Sequence, residues 1–520
     1  MRSAWIVCCA VAAAIGDRPH RWRHIDPERE APATLLDAKL LHLDGREAMF
    51  KAGRSAGAPR RQASAPRTPP TWHSSRQQRS ALLATLAVVP DGSSGGSSGP
   101  TVSPLDFGAD PTGATDSTAA MNAAMAALLN HTAGGVPPMA DAIVNLGGAT
   151  LDLRGGEYLI SAPLVIPKLI GNVRVRGGSL RANAAAFPAD RFLIEVGEEG
   201  CNAKVKQGVC NEMISFDNLF LDAGHRAAGG IVVANTMGTT IGPSAFFTGF
   251  VQAGVRVLQG HETVISDSWF AEFYWSDPAG AHGNSSSVGV DLHGQDNYLT
   301  NVIVFDFTHL GVSVDGAATL LEGVHTWNGG GVGILINGSY AIQDRLLACY
   351  LDYNTLTIVD PTQTTVEDTF FLDTQAVLVQ SKKPAMQSVV FRENVYAYGQ
   401  AAKWGVNQSI VLDGSWATCG AVTVEDELPA KGCCTCDGWA CGIKQTAASE
   451  TKYVSGAANV TFDFSRQLLL PHIDHVQFAV LGERAGEVSW HTLEPVGTSV
   501  TVVFSAAATV RVDMDVKQCL

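Results

Sequence analysis

Carboxylate and amide side chains recur at the ends of β-rich phrases between residues 214 and 399. Their last three gaps are 22, 24 and 21 residues. Two carboxylates at a controlled separation can hydrolyse a glycosidic bond, one as general acid and the other as base or nucleophile. The recurrence therefore predicts acid–base chemistry. The residues concerned are Asp222, Glu272, Asp306, Asn328, Asp352 and Asp373.

A repeat of about 22 residues built from short strands is typical of a solenoid, in which each repeat forms one coil. AFFTGF (245–250) supplies a coil between Asp222 and Glu272, and a Ser/Gly/Asn-rich insertion (280–287) lengthens the next repeat. We expect the acids to stack in one file on a solvent face. Strands in a sheet lie about 4.8 Å apart. Carboxyl groups on adjacent coils would then lie near the short limit of the separation found in inverting glycosidases, and those two coils apart would lie about 9–10 Å from each other. The stereochemistry therefore stays open.

The elements that must position this file are short strands. Gly-Val/Ile phrases such as VGVDLHG, LGVSVDG and VGILING are the matching second strands, whose alternation places apolar residues inside. A strand, a turn and an amphipathic helix over 101–130 predict a cap for the first coil, with Asp116 or Ser117 as N-cap. The strands after residue 452 predict a small antiparallel sheet. The predicted fold class is all-β, a single-stranded right-handed parallel β-helix.

The candidate site combines the acids with nearby basic and imidazole side chains. A carboxyl group beside a like charge has a raised pKa, as a general acid requires. Asp and Asn at strand ends also satisfy turn N–H groups, and that structural reading stays open for each member. His261 and Glu262 are interpreted as turn residues, and neither a metal site nor a cofactor is predicted. Predicted catalytic residues are Asp222, Glu272, Asp306, Asp352 and His325; predicted substrate-binding residues are Arg226, His309 and Asn328.

Composition limits the partners. The chain has 520 residues and a net charge of −14; residues 1–100 hold 14 Lys/Arg and 8 Asp/Glu, so the other 420 residues carry −20. An acidic body disfavours nucleic acid, but local Arg or Lys could still hold an acidic polysaccharide. No apolar run has the length of a membrane span. We expect a monomer.

The domain organisation follows from composition. Residues 1–15 predict a signal peptide, with the apolar run 81–90 as an alternative secretion signal. Residues 16–100 are Arg-, Pro- and Ser-rich and predict a disordered linker. The β-helix is predicted over 101–400, a Cys-rich insertion over 401–451 and a β module over 452–520.

The cysteines favour an oxidising compartment. Cys201 and Cys210 bracket a charged loop, and five more cysteines crowd the Gly-rich insertion at spacings that miss the paired C-x₂-C zinc pattern. Disulfides are therefore favoured over zinc. Five N-x-S/T sequons agree with a secreted or cell-wall glycoprotein: Asn130, Asn284, Asn337, Asn407 and Asn459.

Several phrases resemble known families. FGADPTGATDSTAAM (107–121) resembles the opening of the pectate-lyase-like superfamily of right-handed parallel β-helices. Downstream phrases resemble the plant quartet-type polygalacturonases, and the similarity covers 101–520 outside the cysteine insertion. The NTD, GDD, GHG and RIK motifs of glycoside hydrolase family 28 have no intact counterpart. The downstream phrases are LDAGHRAAGGI (221–231), GHETVISDSWF (260–270), GQDNYLTNVIVF (294–305), YLDYN (350–354) and FDFSRQLLLPHIDHVQF (462–478).

The resemblance implies an extracellular polygalacturonase-like hydrolase that acts on pectin or a related acidic wall polysaccharide. Two alternatives stay open. A lyase would use Ca²⁺ and a basic residue, and would give an unsaturated product. A β-helix with a decayed catalytic set would bind polysaccharide without turnover.

Overall fold

A computed structural model describes residues 99–130, 138–139, 143–199, 209–272, 286–307, 309–327, 331–338, 340–383, 385–397, 406, 408–414, 416, 418–429, 442–482 and 488–519. Residues 94–520 form one compact unit. The predictions for the signal peptide, the linker, Cys201, Asn328 and the cysteines at 433–441 lie outside the described residues.

The first coils carry the one described α-helix. A short 3₁₀ helix (Pro104–Phe107) precedes it. The elements up to residue 261 are β1 (Thr101–Val102), β2 (Thr112–Asp116), α1 (Thr118–Leu129), β3 (Val144–Asp152), β4 (Glu157–Ile160), β5 (Leu164–Ile166), β6 (Ile170–Ala182), β7 (Phe192–Gly197), β8 (Asn211–Asp222), β9 (Gly229–Ala234), β10 (Thr236–Met237), β11 (Thr240–Ile241), β12 (Ala245–Thr248), β13 (Ala253–Val257) and β14 (Gly260–His261).

The remaining described elements are all strands. They are β15 (Val264–Ala271), β16 (Val288–Leu292), β17 (Tyr298–Phe305), β18 (Leu310–Val314), β19 (Leu320–Glu322), β20 (His325–Trp327), β21 (Val332–Asn337), β22 (Arg345–Leu347), β23 (Tyr350–Asp352), β24 (Leu356–Val359), β25 (Thr365–Glu367), β26 (Phe370–Leu372), β27 (Ala376–Val379), β28 (Ala385–Arg392), β29 (Val395–Ala397), β30 (Ile410–Asp413), β31 (Thr418–Glu425), β32 (Leu428–Pro429), β33 (Ala447–Asp463), β34 (His475–Leu481), β35 (Trp490–Thr492) and β36 (Ser499–Lys517).

Each coil crosses three faces. Face 1 and face 2 belong to one parallel sheet and are separated by a bend at which one residue, such as Asn218, Asp267 or Asn301, has a positive φ. Face 3 is a ten-stranded parallel sheet whose strands follow chain order from β5 to β30. The fold is the predicted right-handed parallel β-helix, the hand that parallel crossovers adopt in about 98% of cases.

Inward and outward side chains alternate along each strand, and the inward apolar side chains fill the interior of the helix. On face 2, Leu221, Phe247 and Phe270 point inward and are fully buried, and the rings of Phe247 and Phe270 stack at 4.5 Å. Burying one such side chain stabilises the fold by about 2–3 kcal/mol. Each coil buries its apolar residues against its neighbours, which keeps successive coils in register.

Helix α1 caps the first coil, as predicted. Met121, Met125 and Leu128 are buried in the main core. Asp116 Oδ1 accepts the N–H of Thr118 at 2.8 Å. The carboxylate of Asp110 accepts hydrogen bonds from the hydroxyl and N–H of Thr112 and from the N–H of Thr115, and these hold its pKa well below the ordinary range. The acids of this segment therefore cap and close turns.

The carboxyl-terminal strands form the expected antiparallel sheet, in which β36 pairs with β33, β34 and β35. The boundaries differ from the prediction. Strands β30 to β32 continue the helix to Pro429, inside the segment assigned to the Cys-rich insertion, and β33 already begins at Ala447. The Cys-rich composition of this segment gave no sign of a last coil, because that coil is recognised only by its pairing with β27 to β29. Within the described part of the chain, no helix is long and apolar enough to cross a membrane.

Candidate active site

The predicted acids end the strands of face 2, but they occupy two columns. Asp222 pairs with Thr248, which in turn pairs with Ala271, so Asp222 is level with the residue before Glu272. By the same register, Asp352 is level with Trp327 and Leu372, and Trp327 pairs with Phe305. Asp352 is therefore level with the residue before Asp306. The coil-to-coil order was predicted correctly. The prediction of one file is wrong, because a one-residue offset changes the direction of a side chain.

Burial separates the two columns further. Glu272 is fully buried, and Ser287 donates to its Oε2 at 2.5 Å. Asp306 is 5% exposed and has a positive φ of 51°. Asp222 is half-buried, and its Oδ1 accepts the N–H of Gly224 at 2.8 Å. The five predicted catalytic residues therefore do not line one open groove.

Two of the predicted catalytic residues do lie together on the outside of face 2. His325 Nε2 is 3.9 Å from Asp352 Oδ2, and both side chains are partly exposed. The imidazole stacks on Tyr350 with ring centroids 4.4 Å apart. His325 thus lies one coil beyond Asp306, as predicted, but it faces Asp352.

The predicted substrate-binding residues have separate surroundings. Arg226 is half-buried, and its Nε donates to the carbonyl of Phe187 at 2.6 Å, which ties the guanidinium to the backbone. His309 lies in the turn between β17 and β18 and is partly exposed. Asn328 lies outside the described residues.

Face 3 carries a charged cluster that sequence reasoning did not single out. His293 Nε2 is 2.9 Å from Asp291 Oδ1, and its Nδ1 is 3.2 Å from Asp315 Oδ2. Arg256 Nε donates to Asp291 Oδ2 at 2.9 Å, and Asn337 Nδ2 donates to Asp315 Oδ1 at 2.9 Å. We call these five residues the face 3 cluster. Two carboxylates thus share one imidazole.

Strand register builds this cluster. Arg256, Asp291 and Ser313 occupy one outward column of β13, β16 and β18. His293, Asp315 and Asn337 lie at the ends of three successive strands, each 22 residues after the last. Coils about 4.8 Å apart and a two-residue offset of about 6.7 Å place the backbones of Asp291 and Asp315 about 8 Å apart. The imidazole of His293 fills the space between the carboxyl groups of these two residues.

A file of glycines lets the turns beside the cluster pack closely. Gly294, Gly316 and Gly338 directly follow the three residues that end these strands. A Cβ at Gly316 would lie 1.6 Å from the carbonyl oxygen of Gly294, and one at Gly338 would lie 2.4 Å from that of Asp360. Only glycine fits at Gly316 and Gly338, so the backbones of successive turns approach closely there.

The cluster perturbs the titration of its members. Burial alone would lower the pKa of His293, but its hydrogen bonds to Asp291 and Asp315 outweigh burial and raise it to about 9. Burial would raise the pKa of Asp291, but His293 and Arg256 outweigh it and lower that pKa. At neutral pH the cluster therefore holds an imidazolium beside an ionised carboxylate. Strongly perturbed groups in one place indicate a functional site.

The sequence does contain a signal for this cluster. His-Gly, Asp-Gly and Asn-Gly end the phrases VGVDLHG, LGVSVDG and VGILING at a strict interval of 22 residues. The acids that end the strands of face 2 are spaced less regularly. Strict spacing on the second strands was the better indicator of side chains that meet.

One described group could hold a metal ion. His261, Glu262 and Asp296 each bring one ligand atom to within 4.8 Å of the others. His261 Nδ1 lies 3.3 Å from Asp296 Oδ2. His261 ends β14, Glu262 follows it, and Asp296 lies between β16 and β17. One imidazole and two carboxylates suit a transition metal such as Zn²⁺ better than Ca²⁺ or Mg²⁺, whose ligands are oxygen atoms.

Fold and site together define a parallel β-helix protein with an acid–imidazole cluster on an outer sheet face. Polygalacturonase QRT3 of Arabidopsis thaliana is 32% identical to this chain over 406 residues, which are 77% of this chain and 80% of that protein. The chain belongs to this polygalacturonase family, a family of glycoside hydrolases. The sequence matches no protein-family model.

Solved structures with similar folds are far more distant in sequence. The Dettilon tailspike protein gp208 is 11% identical, with a TM-score of 0.44, over 80% of this chain and 94% of that one. An endo-xylogalacturonan hydrolase from Aspergillus tubingensis is 9% identical, with a TM-score of 0.38, over 64% of this chain and 94% of that one. Likenesses at this level carry no functional argument.

Proposed function

We propose that the protein is a secreted hydrolase that cleaves the glycosidic bonds of pectin or a related polyuronide at the face 3 cluster. The observation that carries this proposal is the shared contact of Asp291 and Asp315 with one imidazolium, on an outer sheet face of a polygalacturonase-family chain. A relative named as a polygalacturonase supports an acidic polysaccharide as substrate. Secretion rests on the amino-terminal apolar run.

Each member of the cluster has a proposed role. Ionised Asp291 takes a proton from a water molecule while the oxygen of that water bonds to the anomeric carbon. The bond from that carbon to the departing sugar oxygen breaks, and this oxygen takes the proton held between His293 and Asp315. Arg256 holds the carboxylate of Asp291 in place. The oxocarbenium-like transition state lies over the cluster, because the imidazole of His293 fills the space between the two carboxylates.

The catalytic roles predicted for Asp222, Glu272, Asp306, Asp352 and His325, and the binding roles of Arg226, His309 and Asn328, stay predictions. Burial does not separate the two groups, because Asp291 is 7% exposed and Asp306 is 5% exposed. Asp352 and His325 are accessible enough to compete with the face 3 cluster. The two groups of residues are separable by mutation.

An assay of new reducing ends tests the function. The full-length protein is incubated with polygalacturonan and with other uronans. We expect reducing ends to accumulate, with no product that absorbs in the ultraviolet and no loss of activity with chelator. A folded protein that releases no reducing ends from any uronan would contradict the proposal.

A lyase is the alternative reaction that the assay separates. The group His261, Glu262 and Asp296 does not favour it, because an imidazole is not a ligand that Ca²⁺ prefers. A Ca²⁺-dependent β-elimination would give an unsaturated product, and chelator would abolish the activity. The same incubation followed by absorbance distinguishes the two reactions.

A further inference from the structure

A file of aromatic rings runs along the outside of face 2. The rings occupy two neighbouring outward columns of β8, β12, β15, β17, β20, β23 and β26. Phe220 is 42% and Trp269 is 44% exposed, and the other rings are partly exposed. We call this file the aromatic track: Phe220, Phe246, Trp269, Phe305, Trp327, His325, Tyr350 and Phe370.

The rings of the track touch in sequence. Phe220 stacks on Phe246 at 5.5 Å, and Trp269 meets Phe305 edge-on at 5.9 Å. Phe305 stacks on Trp327 at 5.1 Å with planes 6° apart. The track ends where His325 stacks on Tyr350 at 4.4 Å and Tyr350 meets Phe370 edge-on at 5.2 Å. Six steps between coils give it a length of roughly 29 Å.

The core does not require these rings. Phe247 and Phe270 point inward from the same strands and stack with each other inside the helix. The track is narrow, because polar bend residues follow one side of it. An exposed apolar strip with polar borders marks a binding surface. The bordering residues include Asn218, Ser244, Asp267 and Asn301.

The first ring of the track opens into a groove that contains two arginines. A cavity of about 590 Å³ is lined by Arg154 and Arg176, by Asp152 and Asp217, and by Phe220 and Phe246. Both guanidinium side chains are about half-exposed; Arg154 lies 3.7 Å from Asp106 and Arg176 lies 3.1 Å from Asp152. A guanidinium presents paired N–H donors that match a carboxylate. An apolar surface therefore continues into a site for an acidic group.

We propose that the aromatic track and the groove beside it hold an extended stretch of an acidic polysaccharide, apart from the face 3 cluster. Sugar rings pack their C–H faces against aromatic rings while their hydroxyl groups stay in water, and a uronate carboxylate pairs with Arg154 or Arg176. A linear polymer fits a track two residues wide. A stable protein partner needs a broader patch, about 800 Å² per side. The inference rests on the proposed function for the class of polymer.

Binding of polygalacturonan to full-length protein tests the proposal. Affinity is measured by calorimetry in an Asp291→Asn background, so that the polymer is not consumed. We expect Trp269→Ala and Trp327→Ala each to weaken binding about tenfold, and Trp269→Phe to retain most of the affinity. Arg154→Gln should weaken binding of polygalacturonan but not of a neutral glucan of similar length.

The matched control is Tyr453→Ala on the carboxyl-terminal sheet, where the side chain is 80% exposed. It should bind as the parent does. Alanine variants that melt like the parent and bind polygalacturonan equally well would overturn the proposal. Self-association of the parent protein through the track would also overturn the proposal. In that case Trp269→Ala would dissociate into monomers while its binding of the polymer stayed unchanged.

Hydrolysis by the unmutated protein is measured separately. Track-dependent binding without any reducing ends would support this inference and contradict the proposed function. Hydrolysis combined with track-independent binding would contradict this inference alone.

Discussion

The acids at the ends of face 2 and the acids of face 3 show how the same residue type serves two purposes. Asp222 is held by the N–H of Gly224, two residues away. Asp291 is held by His293 on its own coil and by Arg256 from the preceding coil, and Asp315 is held by His293 and Asn337 from the coils on either side. A carboxylate held by its own turn is explained by the fold. A carboxylate held by charged groups from several coils needs a further reason, and catalysis provides one.

The comparison also explains why a repeat of acidic residues in the sequence does not by itself identify catalytic residues. Every coil of a β-helix needs polar residues at its turns, so acids recur at the period of the fold whether or not they react. Ion pairs join other coils as well, such as Arg176 with Asp152, but in the face 3 cluster two carboxylates meet one imidazole. The face 3 cluster draws on four strands, from β13 to β21.

The largest expected effect is the loss of turnover in Asp291→Asn. Removing the base should lower kcat by about 10³-fold, within the range for general acid–base groups. The amide keeps the shape of the side chain, so the protein should still fold. Initial rates of reducing-end release measure the loss, with Asp222→Asn as the matched variant, which should lose less than tenfold. Equal losses would remove the distinction between the two regions.

His293→Gln should lower kcat by about 10²-fold and change the pH profile. The pKa of His293 is raised to about 9, so the imidazolium is present at neutral pH, and activity should fall as pH rises through 9. The lowered pKa of Asp291 should keep the base ionised well into the acid range. Persistence of the alkaline limb in the glutamine variant would contradict this role.

The same group links pH to stability. Its pKa is about 9 in the folded protein against an ordinary value of 6.5. The stabilisation is therefore complete below pH 6.5 and is lost as pH rises through 9, by at most on the order of 3 kcal/mol. Urea unfolding at pH 6 and pH 10 measures this difference, which should shrink in His293→Gln.

The turn beside the cluster gives a structural test. Gly316→Ala places a Cβ 1.6 Å from the carbonyl oxygen of Gly294 and should destabilise the fold by about 2–3 kcal/mol. Gly420→Ala is the control, because a Cβ there has no atom within 4 Å. Thermal unfolding compares the two, and equal melting temperatures would contradict the close packing of these turns.

The smallest expected effect belongs to Asn337, which positions Asp315 through one hydrogen bond. Asn337→Ala should lower kcat about tenfold, and Asn337→Asp should not restore it, because a second carboxylate repels the first. Steady-state kinetics at pH 7 measure both. Unchanged kcat in Asn337→Ala would show that Asp315 needs no positioning.

The sequence predicted the coil, the cap and the terminal sheet because each depends on local patterns that the fold repeats. It did not predict the column of each acid. Asp222 and Asp352 end their phrases one residue earlier than Glu272 and Asp306, and only pairing between coils reveals that offset. The face 3 cluster was missed for a similar reason. Asp291 and His293 are ordinary strand residues until Asp315 and Arg256 meet them from other coils.

The most direct test is a crystal structure of Asp291→Asn with a galacturonate trimer. We predict sugar density over face 3, with a glycosidic oxygen within hydrogen-bond distance of Asp315 or His293. A trimer bound between Asp222 and Asp352, with no sugar over face 3, would contradict the account.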